Sequence, residues 1–272
     1  MLGTRVITAV VLLVVLVGLL MSGSVIAVAI AAGIFLAAAS WEALRLFGSR
    51  NASLVAGVWC LAYALLVIKQ TYLQAGVLML LCVAIWAIRL APSLKLGLPP
   101  IDGLGNRLLS GIYGVAILGC FVAILALYAH SALYLFSVMA IVWIADIGAY
   151  FSGKAFGKHK LAPSISPGKS WEGAIGGWLA VLLAAVVTTQ VPALQETFPA
   201  QLLQHRGWAV LLAVLTAMVA ASVAGDLFES QLKRRAGFKD SSALLPGHGG
   251  VLDRIDALIP ALPLALLVDL WH

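Results

Sequence analysis

Residues 5–40 read RVITAVVLLVVLVGLLMSGSVIAVAIAAGIFLAAAS, two apolar stretches with only Ser22-Gly23-Ser24 between them. The first ends at Met21 and is close to the length that crosses a hydrocarbon core as helix, about 20 residues. No small-residue cleavage site leads from it into polar sequence, because the second apolar stretch follows at once. The expectation is a retained first helix packed against a second. The same pattern continues along the chain. Apolar stretches fall at about 5–22, 24–40, 53–69, 74–91, 109–128, 132–151, 173–191, 207–227 and 256–271. The joints carry breakers such as Pro99-Pro100 with Asp102-Gly103, and His130-Ser131. Pro260 and Pro263 predict a kink or local unwinding in the last stretch.

Composition agrees. Of the 272 residues, 62% are hydrophobic and 10% charged, where a soluble domain carries about 25% charged residues. Such a chain cannot clothe itself in polar surface, so the expected class is all-α, polytopic and membrane-embedded, with about nine helices. Cys60, Cys82 and Cys120 lie inside apolar stretches at spacings that fit no metal motif, and read as small packing residues. The net charge is +6. In a membrane chain this points to topology and to phosphate-bearing substrates before nucleic acid.

With nine crossings, fifteen of the 17 Lys and Arg residues fall on the side of the N-terminus, starting with Arg5. Only Lys69 and Arg206 fall on the other. The positive-inside rule makes the crowded side cytoplasmic, with the N-terminus inside and the C-terminus outside. Two inside loops, 152–172 and 228–255, hold nine of those charges. The chain divides into an N-terminal four-helix membrane region, 1–107, and a C-terminal membrane region, 108–272, that carries both loops.

Acidic residues are scarce, so each is informative. Asp146 in the sixth stretch and Asp226 near the end of the eighth cost at least ~2.5–3.5 kcal/mol each if ionised in lipid, and so face a partner, an ion or water. The plain alternative for each is an ion pair with a lysine. If the eighth helix continues past Asp226, then Asp226, Glu229, Ser230 and Lys233 share one face. Asp253 and Asp256 stand three apart at the entry to the last stretch, where a returning loop brings them toward Asp226. Hard oxygen ligands in a site open to water suit Mg²⁺, which takes one or two carboxylates plus substrate phosphates. Lys233, Arg234, Lys239 and Arg254 lie beside them as an anion-binding set, with Asp240 among them. His248-Gly249-Gly250 is a permissive turn; its histidine either contacts a phosphate or anchors the loop. In the earlier loop, Gly168-Lys169-Ser170 imitates the end of a P-loop, but Pro163 stands where the motif needs glycine. Ser166 and Lys169 remain phosphate contacts ahead of a helix N-terminus; the plain reading is a solvated basic loop. Gly173, Gly176 and Gly177 give the following helix a small face for packing.

These residues carry a resemblance. Ser230, Leu232, Lys233, Arg234, Lys239, Asp240, Pro246, His248, Gly249, Gly250, Val251, Asp253, Arg254, Ile255 and Asp256 match, in order and spacing, the signature of the phosphatidate cytidylyltransferase (CDP-diacylglycerol synthase) family. Ala145-Asp146-Ile147-Gly148-Ala149-Tyr150, Phe156-Gly157-Lys158-His159-Lys160-Leu161 and Ser166-Pro167-Gly168-Lys169-Ser170-Trp171-Glu172-Gly173 resemble further family motifs. Ile147, Gly168 and Ser170 depart from them, and the first two lose a polar contact and are left out of the expected site. The resemblance is strong over about 140–256 and one of hydropathy alone over the first hundred residues. It implies that CTP and phosphatidate give CDP-diacylglycerol and pyrophosphate. It also implies divalent-metal dependence with room for a second ion, metal ligands at Asp226 and Asp253, homodimers, and a bacterial inner-membrane location. The alternatives are a related nucleotidyltransferase acting on another lipid phosphate, and an ion-coupled transporter, against which the absence of paired repeats counts.

Overall fold

The computed structural model describes residues 2–271, with side chains from Ile7 to Trp271; Met1, His272 and the side chain of Arg5 lie outside the described residues. Among the described residues ten helices follow one another: α1 Leu2–Met21, α2 Val25–Leu46, α3 Ala52–Ile68, α4 Gly76–Leu96, α5 Leu104–His130, α6 Ala132–Phe156, α7 Trp171–Gln190, α8 Phe198–Ala236, α9 Leu252–Ile255 and α10 Leu258–Asp269. Six of these, α2 and α4 to α8, are long and apolar enough to cross a membrane. Ile7–Met21 within α1, α3 and α10 are shorter apolar helices. The all-α membrane class holds, with one addition: Lys160–Ala162 (β1) and Ser166–Ser170 (β2) form a small antiparallel ribbon between α6 and α7.

Local chemistry sets the helix ends. Ser24, Ser131 and Ser170 cap α2, α6 and α7 by accepting from the N–H groups of Ala27, Tyr134 and Gly173. Gly237, at φ 77°, closes α8, with the Gly237 and Phe238 N–H groups returning to the carbonyls of Arg234 and Lys233. Gly207, also at φ 77°, breaks α8 near its start. That break coincides with the predicted start of the eighth stretch. In α4 one π-helical turn, Trp86–Leu90, precedes Pro92, whose missing N–H leaves the ladder unable to run regularly there.

The helices run further than hydropathy predicts. α6 continues to Phe156 and α8 to Ala236, because the polar residues of their last turns sit outside the apolar core yet remain good helix formers. The two loops accordingly shrink to 157–170 and 237–251, and the first is a hairpin. The last stretch, 256–271, opens on a turn at Asp256-Ala257 and continues as α10, with Pro260 in its first turn and Pro263 inside it; α9 lies just ahead of the stretch.

At the centre stand α5 and α10. Tyr113, Ile117, Leu125, Ile259, Leu262 and Ala265 are all fully buried. Phe228 of α8 stacks against Tyr113 at 4.9 Å and Trp86 at 5.7 Å between ring centroids. One hydrophobic core takes residues from α2 through α10. α6 and α7 pack closely because Gly148, Gly173 and Gly177 leave no room for a side chain: a Cβ on Gly173 or Gly177 would strike the carbonyl of Ala149 or Ala145. Many large apolar side chains of the outer helices, such as Ile30, Ile34 and Leu61, face outward. The beginning of α1 lies at the end of the bundle that carries the 237–251 loop, where Thr8 donates to the Pro246 carbonyl at 2.9 Å. The chain ends at the opposite end, where Arg206 donates to the carbonyl of Trp271.

Candidate active site

A cavity of about 700 Å³ opens between α6, the β-ribbon, α7, α8 and the α9–α10 break. α6 and α8 both run toward the loop end of the bundle, and α10 runs away from it. Val142 and Trp143 therefore lie deeper than Asp146, Val219 and Val223 deeper than Asp226, and Leu258 deeper than Asp256. The result is an apolar floor beneath a band of four carboxylates, Asp146, Asp226, Asp253 and Asp256, with Ser166, Lys169 and Arg254 at the same cavity. Sequence reasoning places Asp226 and Asp253 in one site, and they do share this cavity.

The carboxylates are held by cations and by the backbone. Lys169 Nζ lies 2.6 Å from Asp226 Oδ2, both side chains about a third exposed, and Ser230 Oγ donates to Asp226 Oδ1 at 3.3 Å. The lysine ion pair offered as the plain alternative for Asp226 is thus present. For Asp146 no such pair forms among the described residues, and it faces the open cavity. Asp253 Oδ1 accepts from Lys233 Nζ at 2.5 Å. Its Oδ2 accepts from the Gly250 N–H at 2.7 Å, the Ser241 hydroxyl at 2.8 Å and the Ser241 N–H at 2.9 Å. Both oxygens thus face donors, one of them an ammonium.

Lys233 also pairs with Glu229 one turn back. Glu229 is fully buried, and its Oε1 has no hydrogen-bond partner. The expected shared face of Asp226, Glu229, Ser230 and Lys233 therefore exists, but only Asp226 lines the cavity; the other three brace it. Arg234, one residue further round the helix, reaches the Ile165 carbonyl of the ribbon turn at 3.5 Å instead of the cavity. Lys239, Asp240, His248 and Gly249 line a neighbouring cleft of about 620 Å³, and Arg254 lines both. His248 sits in a tight turn whose ends pair through Leu245 and Gly249. Its carbonyl accepts from Arg254 at 2.8 Å, while its Nδ1 is buried without a partner. Gly249 stands at φ 82°, and a Cβ there would press on Asp253 Oδ2 at 2.8 Å.

Among the cavity residues that escape the sequence reading are Tyr150, Lys154, Ser170 and Gly168, the last set aside because it departs from its motif. A larger omission is Glu42 of α2. It is fully buried and accepts from Ser241, Ser242 and the N–H groups of Val251 and Leu252. It lies two positions past the apolar stretch 24–40, so the cost of an acid inside such a stretch, applied above to Asp146 and Asp226, does not reach it.

The donor set suits a divalent cation that arrives with its substrate. Four acids against Lys154, Lys169 and Arg254 leave the lining formally negative. A polyphosphate entering it needs cations of its own. Among the described residues no three acidic, His or Cys side chains converge to hold an ion unaided.

Known proteins resemble this chain along its length. A phosphatidate cytidylyltransferase of Pseudomonas aeruginosa is 42% identical over 97% of this chain and 95% of its own length. One from Haemophilus influenzae is 52% identical over 134 residues, 49% of this chain, and one from Brucella suis 47% over 131 residues. These two matches cover 44% of each relative, so over them the chain spans under half the length of the protein it matches. The cytidylyltransferase family model matches residues 3–270, nearly the whole length. The chain belongs to the cytidylyltransferase family.

Proposed function

We propose that this chain transfers CMP from CTP to phosphatidate, giving CDP-diacylglycerol and pyrophosphate. The observation that carries the proposal is the cavity itself: carboxylates from α6, α8 and the α9–α10 break stand over an apolar floor, with lysine and arginine at the rim. A lipid phosphate has a polar head and apolar chains, and the cavity has the matching polarity. Its phosphate oxygen attacks the α-phosphorus of CTP, the bond from that phosphorus to the β-phosphate oxygen breaks, and pyrophosphate leaves. No strong base is required, because a phosphate monoester is already largely ionised near pH 7. Asp226 and Asp253 are the residues that would hold Mg²⁺, with Asp146 and Asp256 beside them. When bound, the ion supplies charge neutralisation for the triphosphate. Lys169 and Arg254 offset negative charge at the reacting phosphates. Lys239 and His248, in the adjoining cleft, meet the rest of the nucleotide. Ser166 and the backbone around Gly249 and Gly250 complete the phosphate contacts. Lys233 keeps Asp253 ionised and in place, and Arg234 fixes the ribbon that carries Lys169.

A topology goes with this reaction. α1, α3 and the α9–α10 pair cross the bilayer together with the six longer helices, making nine crossings. α10 alone is only about 18 Å long, short of the ~30 Å hydrocarbon core. The placement of Thr8 and Trp271 at opposite ends of the bundle supports an odd number of crossings. The basic, loop-bearing end and the N-terminus face the cytoplasm, in a bacterial inner membrane, and the chain acts as a homodimer. Residues 108–272 supply the cavity lining, while 1–107 buttress it.

The experiment is turnover by the purified full-length chain in lipid nanodiscs, with phosphatidate and each of the four ribonucleoside triphosphates, with and without Mg²⁺. CDP-lipid and pyrophosphate from CTP alone, only when Mg²⁺ is present, is the expected result. Turnover of another nucleotide in preference to CTP, or equal turnover in EDTA, would overturn it.

A further inference from the structure

We infer that Glu42, on a helix outside the cavity, is a positioning residue that latches the nucleotide-side loop 237–251 in its working shape. The inference rests on the CTP-dependent reaction proposed above. Glu42 takes hydrogen bonds from both ends of the loop. At the entry, the Ser241 hydroxyl donates at 3.3 Å and the Ser242 hydroxyl also donates. At the exit, the N–H groups of Val251 and Leu252 donate at 3.1 and 2.6 Å. The two N–H groups open the short helix α9, so the carboxylate also sits where the next residue, Asp253, is aimed at the cavity. Ser241 is shared: its hydroxyl donates to Glu42 and to Asp253 Oδ2 at 2.8 Å. Two carboxylates, one from α2 and one from α9, thus close the neck of a single loop. Gly250 makes the closure possible, because a Cβ there would strike both the Ser241 hydroxyl and the Glu42 carboxylate.

Nothing about this arrangement is needed for packing alone. Burying a carboxylate inside a protein is costly unless it is paired, and the partners of Glu42 are the polar groups of the loop neck and not the apolar residues beside it on α2. What the acid provides is direction. It accepts from the Ser242 hydroxyl and the Val251 and Leu252 N–H groups, three donors that an apolar side chain would leave unpaired, and shares the Ser241 hydroxyl with Asp253. It thereby fixes the loop that carries Lys239, His248 and Arg254 relative to the cavity. An amide in its place has only one oxygen and turns an N–H₂ group toward one pair of donors.

The test compares Glu42→Gln, Glu42→Asp and Ser242→Ala with the unaltered full-length chain in nanodiscs. It reads trypsin cleavage after the exposed Lys239, followed by fragment mass, and the KM for CTP and for phosphatidate. Losing one or two charge-assisted hydrogen bonds should raise both the Lys239 cleavage rate and the KM for CTP by about tenfold or more in Glu42→Gln. The KM for phosphatidate should stay unchanged. Glu42→Asp, which keeps the charge, should fall between the two. A merely structural role would lower the active fraction, and so kcat, and leave the KM for CTP alone. Unaltered cleavage at Lys239, or faster cleavage with an unaltered KM for CTP, overturns the inference. If Glu42→Gln does not insert, Ser242→Ala decides by the same readouts with a smaller expected rise, and no rise overturns it. Failure of the unaltered chain to use CTP would count against the reaction and leave the cleavage result to judge the latch.

Discussion

Replacing Asp253 by asparagine separates the chemical role of this residue from its structural one. The carboxylate accepts four hydrogen bonds, three on Oδ2 from Ser241 and Gly250 and one on Oδ1 from Lys233. An asparagine oxygen turned toward Ser241 and Gly250 keeps the three. Its amide N–H₂ then faces the Lys233 ammonium, donor against donor, and Lys233 falls back on Glu229. The net structural loss is one charge-assisted hydrogen bond between two largely buried groups, Lys233 13% and Asp253 5% exposed. Such a bond is worth about 1.5–3 kcal/mol. At about 2–4 °C per kcal/mol for a chain of this size, the midpoint of thermal unfolding should drop by roughly 3–12 °C. Function should suffer far more. If Asp253 holds the metal as proposed, removing that charge should cost several kcal/mol at the transition state, and about 4 kcal/mol is a thousandfold in rate. The assay is incorporation of labelled CMP into lipid across a Mg²⁺ titration, on protein whose unfolding midpoint has been measured. Turnover within tenfold of the unaltered chain, with the same Mg²⁺ dependence, would remove Asp253 from the metal site and refute the reasoning.

Other expectations follow from the same contacts. Lys169→Ala should change stability by less than about 1 kcal/mol, since its pair with Asp226 is partly exposed. It should cut CMP transfer about a hundredfold, and full activity would exclude Lys169 from the reaction. Lys233→Met strands the fully buried Glu229 and should cost about 3–5 kcal/mol in denaturant unfolding; adding Glu229→Gln should restore part of that loss, and an equally stable single variant would contradict the pairing. Gly177→Val drives a side chain into the Ala145 carbonyl and should separate α6 from α7, seen as lower yield and a fall of at least ~1–3 kcal/mol in stability. A cysteine introduced as Gly168→Cys, in a chain whose three native cysteines are replaced, should react with a membrane-impermeant maleimide in inside-out vesicles and not in intact cells; the reverse pattern would invert the proposed orientation.

The apolar stretches were legible because a 20-residue apolar segment has few alternatives to a membrane helix. Their ends were less so. Hydropathy stops where lipid stops, and helices do not: α8 runs on past Asp226 through Glu229, Ser230 and Lys233, and only Gly237 closes it. The β-ribbon left no clear signal, since Lys160–Ala162 and Ser166–Ser170 are too short for alternation to show. Asp226 and Asp253 were legible as partners because acids in this chain are rare and because the 230–256 motif is long. Their hydrogen-bond partners were not. Lys233 serving Asp253 instead of a substrate, and Arg234 serving the ribbon, depend on which way each side chain leaves α8, and that is set by tertiary packing. Glu42 falls just past the stretch 24–40, where the rule that found Asp146 no longer applies, and its role lies in residues some two hundred positions away.

The pairing of acids with lysines bears on how a polyanion enters a lining that is itself formally negative. Lys169 neutralises Asp226, and Lys233 neutralises Asp253, so without substrate the site holds its carboxylates at modest electrostatic cost. Under the proposed reaction, Asp226 would take Mg²⁺ brought by the nucleotide as a stronger partner, and the Lys169 ammonium would take a phosphate in exchange for the carboxylate. Lys233 has no such freedom, because Glu229 and Asp253 grip it from both sides, below the cavity wall. The two lysines therefore differ in kind. Lys169 sits on the ribbon, half-buried and free to change partners, whereas Lys233 is a fixed strut. Substituting arginine at each tests this. On the ribbon a guanidinium retains charge and reach, and the Lys169→Arg variant should keep more than about a tenth of the activity. Lys233→Arg must fit a planar guanidinium into a slot shaped for an ammonium and should lose both stability and turnover. Equal tolerance at the two positions would mean that neither lysine exchanges partners when the nucleotide binds.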